Sequence, residues 1–176
     1  MRSLVRSPLG LALATLFVAG SASAADTTNF NVVLVVTKAC TITAAAATNV
    51  DFNSAASTTA TPISGQGSVT AQCSALTPYT IALNAGANPG TASDVNTRRM
   101  KNTNSAVTTN NYVGYQLYRD AAHTLVWGVT SGTNTQAGNG TGLPVAYPVY
   151  GQIADLSTNN AAAGNYLDTV TATITY

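Results

Sequence analysis

The end of the chain alternates with a period of two. Val170, Ala172, Ile174 and Tyr176 are interleaved with Thr169, Thr171, Thr173 and Thr175. Such a pattern places apolar side chains on one face and threonines on the other, which describes a β-strand with one buried and one wet side. A strand of this kind has to be covered by a second layer, and strand signals recur along the chain to supply it. They are Phe30 to Val36, Cys40 to Ile42, Val50 to Phe52, Gly67 to Cys73, Tyr79 to Leu83, Tyr112 to Tyr118, Leu125 to Val129, Val145 to Ile153 and Tyr166 to Tyr176. Loops are expected over Ala85 to Asn96, Ser131 to Gly142 and Leu156 to Asn165, where Gly, Asn, Ser and Thr cluster. Ala44 to Ala47 has the best helical composition but no 3.6-residue period. Many short strands divided by turn signals predict an all-β sandwich. Pro144 and Pro148 mark an edge or a bulge.

The opposite end of the chain has two parts. Arg2 and Arg6, an apolar run from Leu9 to Val18, and Ala22-Ser23-Ala24 make a secretory signal peptide over residues 1–24, with cleavage after Ala24. Past that site comes Phe30 to Val36, with Phe30, Val32, Leu34 and Val36 on one face and Val33 and Val35 on the other. Only Thr37, Lys38 and Ala39 separate it from Cys40, with no Gly, Pro or Asn to turn the chain. A hairpin is therefore not expected. Either one long strand runs from about residue 30 to 43, or the first half leaves the domain. Export makes the cysteines readable. Cys40 and Cys73 are the only two, so they form one disulfide in an oxidising compartment.

Composition narrows the function. Charged residues are 7% of the chain, there is no Glu, and the formal net charge is +1 before the two leader arginines are removed. Nothing here attracts nucleic acid or an anionic membrane. With one His and two Cys, no zinc finger or histidine metal centre can be built, and no cofactor motif is present. His123 follows Arg119-Asp120-Ala121-Ala122 in a turn and is expected to be exposed and structural. Asp94, Asp120 and Asp155 lack calcium-loop spacing. No serine sits in a nucleophile elbow, and Gly138 to Gly142 is a flexible loop rather than a phosphate cradle. Asn139-Gly140-Thr141 matches a glycosylation triplet that arises readily by chance. Arg98, Arg99 and Lys101 form the one basic cluster, expected in a solvated loop or an intersubunit contact. Tyr112, Tyr115, Tyr118 and Trp127 fit core and cross-strand pairs better than a sugar platform. The chain carries no visible enzyme.

In order along the chain, several segments then make a pattern: the apolar N-terminal strand before Cys40-Thr41-Ile42, Val50-Asp51-Phe52, and Gly67-Ser68-Val69 leading to Cys73. Pro78 to Leu83, Arg98-Arg99-Met100, Tyr115 to Asp120 and Trp127-Gly128 follow. Val149 to Ile153 and Gly164 to Val170 complete it. This pattern resembles the spore coat protein U family, the pilin domains of archaic (Csu-type) chaperone–usher fimbriae. The resemblance implies an incomplete immunoglobulin-like β-sandwich lacking its last, seventh strand and completed by donor-strand exchange. It implies a donor strand within residues 25–37 (Phe30, Val32, Leu34, Val36), a pilin domain over 38–176, and an acceptor groove at Val170, Ala172, Ile174 and Tyr176. Expected partners are a periplasmic chaperone, an outer-membrane usher and neighbouring pilins in a head-to-tail fibre. The site would be transiently periplasmic, then the cell-surface fimbria, serving adhesion and biofilm formation. A tip adhesin of the family carries a further receptor domain, for which residues 25–176 leave no room, so a shaft subunit is expected. A self-contained carbohydrate-binding module and a spore-coat structural protein are the alternative readings.

Overall fold

The computed structural model describes residues 25–45 and 48–176. The expected signal peptide lies outside the described residues, as do Ala46 and Ala47 of the alanine run. The chain divides into two units between Val35 and Val36. The described part of the first unit has no regular structure, and Phe30, Val32 and Leu34 are 84%, 88% and 84% exposed. Neither a hairpin nor one long strand from residue 30 to 43 forms, because regular pairing starts only at Cys40. Residues 30–36 have strand composition but pair with no strand among the described residues.

The second unit is all-β, with antiparallel pairing throughout. Its strands are β1 (Cys40–Thr43), β2 (Ile63–Cys73), β3 (Pro78–Leu83), β4 (Arg99–Asn102) and β5 (Tyr112–Gly114). They continue with β6 (Gln116–Tyr118), β7 (Gln136–Asn139), β8 (Val145–Ile153), β9 (Tyr166–Leu167) and β10 (Ala172–Thr175). One sheet has the order β1-β2-β8-β6, a second β10-β3-β7, and a small third β5-β4-β9. Alternation on the long strands sends Val69, Ala71 and Cys73 of β2 and Tyr79, Ile81 and Leu83 of β3 into one shared core, with Leu117, Trp127 and Val149. Each large apolar side chain buried there contributes about 1.5–3 kcal/mol. A smaller cluster, Val113, Ile153 and Leu156, lies with Met100 and Phe52 beneath the third sheet.

One long side of the sandwich is sewn shut. After β6 the chain turns and lies along it, with Arg119 N–H donating to Leu125 O (2.9 Å) and Trp127 N–H to Leu117 O (2.9 Å). The next residue reaches the other sheet, where Leu83 N–H donates to Gly128 O at 3.0 Å. Trp127 is fully buried and its indole N–H donates to Ile81 O at 2.9 Å. The expected strand Leu125 to Val129 is thus a crossing between sheets, with a single bridge at Val126.

Other departures have equally local causes. Val50 to Phe52 is not a strand, because the segment from Thr48 lies flat across the inner face of β2 and β8 above three glycines. A Cβ at Gly65 or Gly67 would run into the backbone of residues 48–51, and one at Gly151 into Val50 and Phe52. Tyr112 to Tyr118 breaks at Tyr115, whose N–H donates to Arg98 O (3.1 Å), so β5 and β6 join different sheets. The expected loop Ser131 to Gly142 contains β7, whose Gln-Ala-Gly-Asn sequence has little strand propensity and is held by pairing with β3. Pro148 sits inside β8, opposite Ser68 of β2. On its other flank β6 pairs only with residues 150–152, so the proline lies where the strand is locally an edge.

Cys40 and Cys73 face one another in the β1–β2 ladder and are joined, with S–S 1.97 Å. The bridge anchors β1 at the point where the chain enters the sandwich. Replacing both with serine should cost roughly 3–4 kcal/mol of unfolding free energy by loop-closure entropy. Urea denaturation of residues 38–176 under oxidising conditions tests this, and coincident unfolding midpoints for the two proteins would contradict it.

Candidate functional site: an open, mostly apolar seam

The other long side of the sandwich is not sewn. β1 ends one sheet and β10 ends the other. Among the described residues β1 pairs only with β2, and β10 only with β3. They come within 8 Å of each other without sharing a ladder. Each therefore presents a row of backbone N–H and C=O groups with no strand to take them. Exposed edges are ordinarily blunted by charge, proline or a bulge. β1 reads Cys-Thr-Ile-Thr and β10 reads Ala-Thr-Ile-Thr, with none of these devices. No strand of the two larger sheets carries a charged residue, and the charges that fall in strands, Arg99 and Lys101, are on β4.

Between these edges lies a groove of about 500 Å³. Its floor is the core itself: Val69, Leu83, Leu117 and Val149. Ile42, Val50 and Phe52 line one rim, and Leu167 to Val170 with Ala172 the other. Of the residues expected to form an acceptor surface, Val170 and Ala172 line this groove, and Ile174 packs on the same core cluster. All three are only partly buried. Tyr176 is 58% exposed and instead borders a shallow depression with Pro78, Thr80 and Ala137. The sequence reading missed the groove's floor and its Ile42–Phe52 rim. Their signal was the inward position of each residue on its own strand, which does not reveal that those strands converge here.

A buried polar cluster supports the far rim. Arg98, expected in a solvated loop or an intersubunit contact, is 1% exposed. Its guanidinium donates to the carbonyls of Leu83 (2.8 Å), Asn84 (2.7 and 2.9 Å) and Trp127 (2.8 Å) and to Gln116 Oε1 (2.7 Å). Burial lowers its pKa to about 10, against the favourable field of Tyr115 and Asp168. The Tyr115 hydroxyl donates to Asp168 Oδ2 at 2.6 Å. Asp168 Oδ1 accepts from the N–H groups of Ala87 (2.9 Å) and Asn88 (3.2 Å) and from Asn88 Nδ2 (3.0 Å). Gly86, at φ +83°, leaves room for that carboxylate, since a Cβ there would overlap it. This anchoring bends the chain, so the expected strand Tyr166 to Tyr176 divides into β9 and β10.

His123, expected to be exposed, is half-buried, edge-on to Tyr118 (5.1 Å) and Tyr150 (6.4 Å), with Nδ1 3.2 Å from Gln152 Nε2. Arg99 lies 4.1 Å from the Tyr112 ring centroid. Among the described residues no group of three metal-ligating side chains comes together. In the groove, Asp168 and Tyr115 are engaged with each other, and the remaining lining is mostly apolar. The arrangement suits capture of an extended apolar segment by main-chain pairing with side-chain insertion.

Burial, then the hydrogen bond to Asp168 and its negative field, push the Tyr115 phenol well above its ordinary pKa of 10. A raised folded-state pKa contributes stability that is complete below the unfolded value and is lost as pH climbs through the folded one. Tyr115→Phe should therefore cost about 1.5–3 kcal/mol at pH 8, the size of a hydrogen bond to a charged group. Its deficit relative to wild type should shrink above pH 10. Paired denaturation curves from pH 8 to 11.5 measure the difference, and a deficit independent of pH would contradict the assignment.

The geometry has counterparts among known proteins. The chain is 40% identical to "Protein U" of Myxococcus xanthus over 114 residues, which is 64% of this chain and 60% of that protein. Its fold is similar to a chain in the crystal structure of the CsuC-CsuE chaperone-tip adhesion subunit pre-assembly complex from archaic chaperone-usher Csu pili of Acinetobacter baumannii. The TM-score is 0.54 and the identity 26%, over 80% of this chain and 40% of that one. The chain thus spans less than two thirds of either relative. The family model for the Spore Coat Protein U domain matches residues 26–173, and the chain belongs to that family.

Proposed function

We propose that this protein is a structural shaft subunit of an archaic chaperone–usher pilus, and that its seam is the acceptor for a strand donated by another copy. The observation that carries this reading is the pairing of complementary parts in one sequence. A mostly apolar groove has unpaired edges on both sides, and an unpaired apolar segment, residues 30–36, is more than three-quarters exposed throughout its apolar positions. A subunit holding both parts can sit anywhere within a fibre, since it gives a strand in one direction and accepts one from the other. Such a head-to-tail interface does not close on itself and propagates.

The energies are of the right size. Burying Phe30, Val32, Leu34 and Val36 contributes about 1.5–3 kcal/mol each, or roughly 6–12 kcal/mol before ordering costs. A whole domain has a stability of about 5–15 kcal/mol. The alternative register would insert Val33 and Val35 flanked by Asn31 and Thr37, with half the apolar side chains, so burial selects the first. The inserted strand would also satisfy main-chain groups along β1 and β10.

In this reading residues 1–24 direct export, 25–37 carry the donor strand, and 38–176 form the pilin domain. A periplasmic chaperone would occupy the seam before an outer-membrane usher exchanges it for the next subunit's strand. The neighbouring chaperone–subunit complex supports the first of those partners. The product would be a surface fimbria serving adhesion and biofilm formation. The match to the Spore Coat Protein U domain favours a second reading, a coat structural protein built from the same domain.

Residues 25–176 and 38–176, produced with a pilus chaperone and then freed of it, decide the matter. The longer chain should form polymers that resist heat and detergent. The shorter one should be a marginally stable monomer that added peptide of residues 29–37 stabilises strongly. A shorter chain that is a stable, cooperatively unfolding monomer without peptide would mean the core is already complete and would overturn strand donation.

A further inference from the structure

Strand donation accounts for Phe30, Val32, Leu34 and Val36 but leaves Val33 and Val35 without a role, although both are as exposed as their neighbours (87% and 85%). An inserted strand alternates, so these two would point away from the core of the accepting copy. Their neighbours would be the outward threonines of that copy: Thr41 and Thr43 on β1, and Thr171 and Thr173 beside and within β10, all exposed. Beyond them the outward side chains of β2 and β3 opposite Thr41, Thr43 and Thr173 are Gln72, Thr70 and Ala82. No residue in this set is charged. Surfaces that keep proteins apart have roughly 25–35% charged residues, whereas the two larger sheets have none in their strands.

Resting on the proposed strand donation, we propose that this outward Val/Thr stripe is a lateral contact surface between fibres, its partner being the same stripe on a second fibre of this chain. Every subunit would present two exposed valines in a flat field of β-branched and small polar side chains, and head-to-tail growth would repeat the stripe at each joint. Identical stripes meet without coulombic repulsion because neither bears a charge, and a nearly neutral chain adds no opposing net field. Valine is costly to leave in water and threonine contributes a methyl group beside it, so each joint gains a little from contact and the repeat multiplies that gain.

The test uses the full mature chain, assembled into fibres, in three forms: wild type, Val33→Lys/Val35→Lys, and Thr171→Lys/Thr173→Lys. Polymer formation is read from detergent-resistant ladders, and lateral association from low-speed pelleting and negative-stain microscopy. The expected result is intact ladders in the wild type and the threonine variant, and loss of bundles in both variants. The second variant leaves the donor segment untouched, so it remains informative if the first polymerises poorly. Intact ladders with bundling unchanged in the threonine variant would overturn the lateral contact while leaving strand donation standing. Wild-type polymers that remain single filaments would overturn it too. A wild type that makes no polymers would remove strand donation, and the stripe with it.

Discussion

Everything distinctive in this molecule follows from two strands whose outer backbone groups have no partner. β1 closes one sheet and β10 the other, and the space between them opens onto the hydrophobic core rather than onto a polar surface. Backbone N–H and C=O groups are obligatory hydrogen-bonding groups, and an edge of this kind is a template for another strand. A protein that had to remain alone would be expected to defend it. Here neither edge carries a lysine, a proline or a bulge, and the flanking sheets have no charge in any strand. The opposite side of the sandwich shows that the fold is capable of closure, since Leu125 to Gly128 carries hydrogen bonds from one sheet to the other.

The open side is nonetheless rigidly built. Arg98 ties the end of β3 and the crossing segment at Trp127 to the start of β6, with every bond to a neutral acceptor. Such a buried cation is tolerable only when its donors are satisfied, and here the carbonyls converge on it. Asp168 fixes the far rim against residues 86–88 and Tyr115. On the near side, three glycines let the 48–52 segment lie directly on the sheet. The disulfide secures β1 where it leaves Cys40. These supports hold the walls of the groove from behind, so a strand entering it meets a formed surface, which reduces the ordering cost of binding.

Much of this was legible in the sequence. Period-two alternation identified the inward face of β10, and Cys40 with Cys73 needed only the redox context of export. Trp127 was rightly assigned to the core. What stayed hidden was anything set by residues remote in the chain. Arg98 looks like a surface cation beside Arg99 and Lys101, and only the convergence of carbonyls from Leu83, Asn84 and Trp127 makes it a core residue. β7 lacks strand propensity and exists because β3 is beside it. Val50 to Phe52 has strand composition but lies over glycines instead of pairing. The long C-terminal strand is broken by Asp168, whose partners are some eighty residues away. The groove combined both kinds: Val170 and Ala172 could be read from alternation, whereas its floor required the sheets to be assembled.

Amide hydrogen exchange on residues 38–176, with and without a peptide of residues 29–37, tests the central claim most directly. The seam-facing amides of Cys40–Thr43 and Ala172–Thr175 should exchange rapidly in the empty protein and become strongly protected on both sides once peptide is bound. Protection of both edges already present without peptide, or peptide binding that protects neither, would contradict the account.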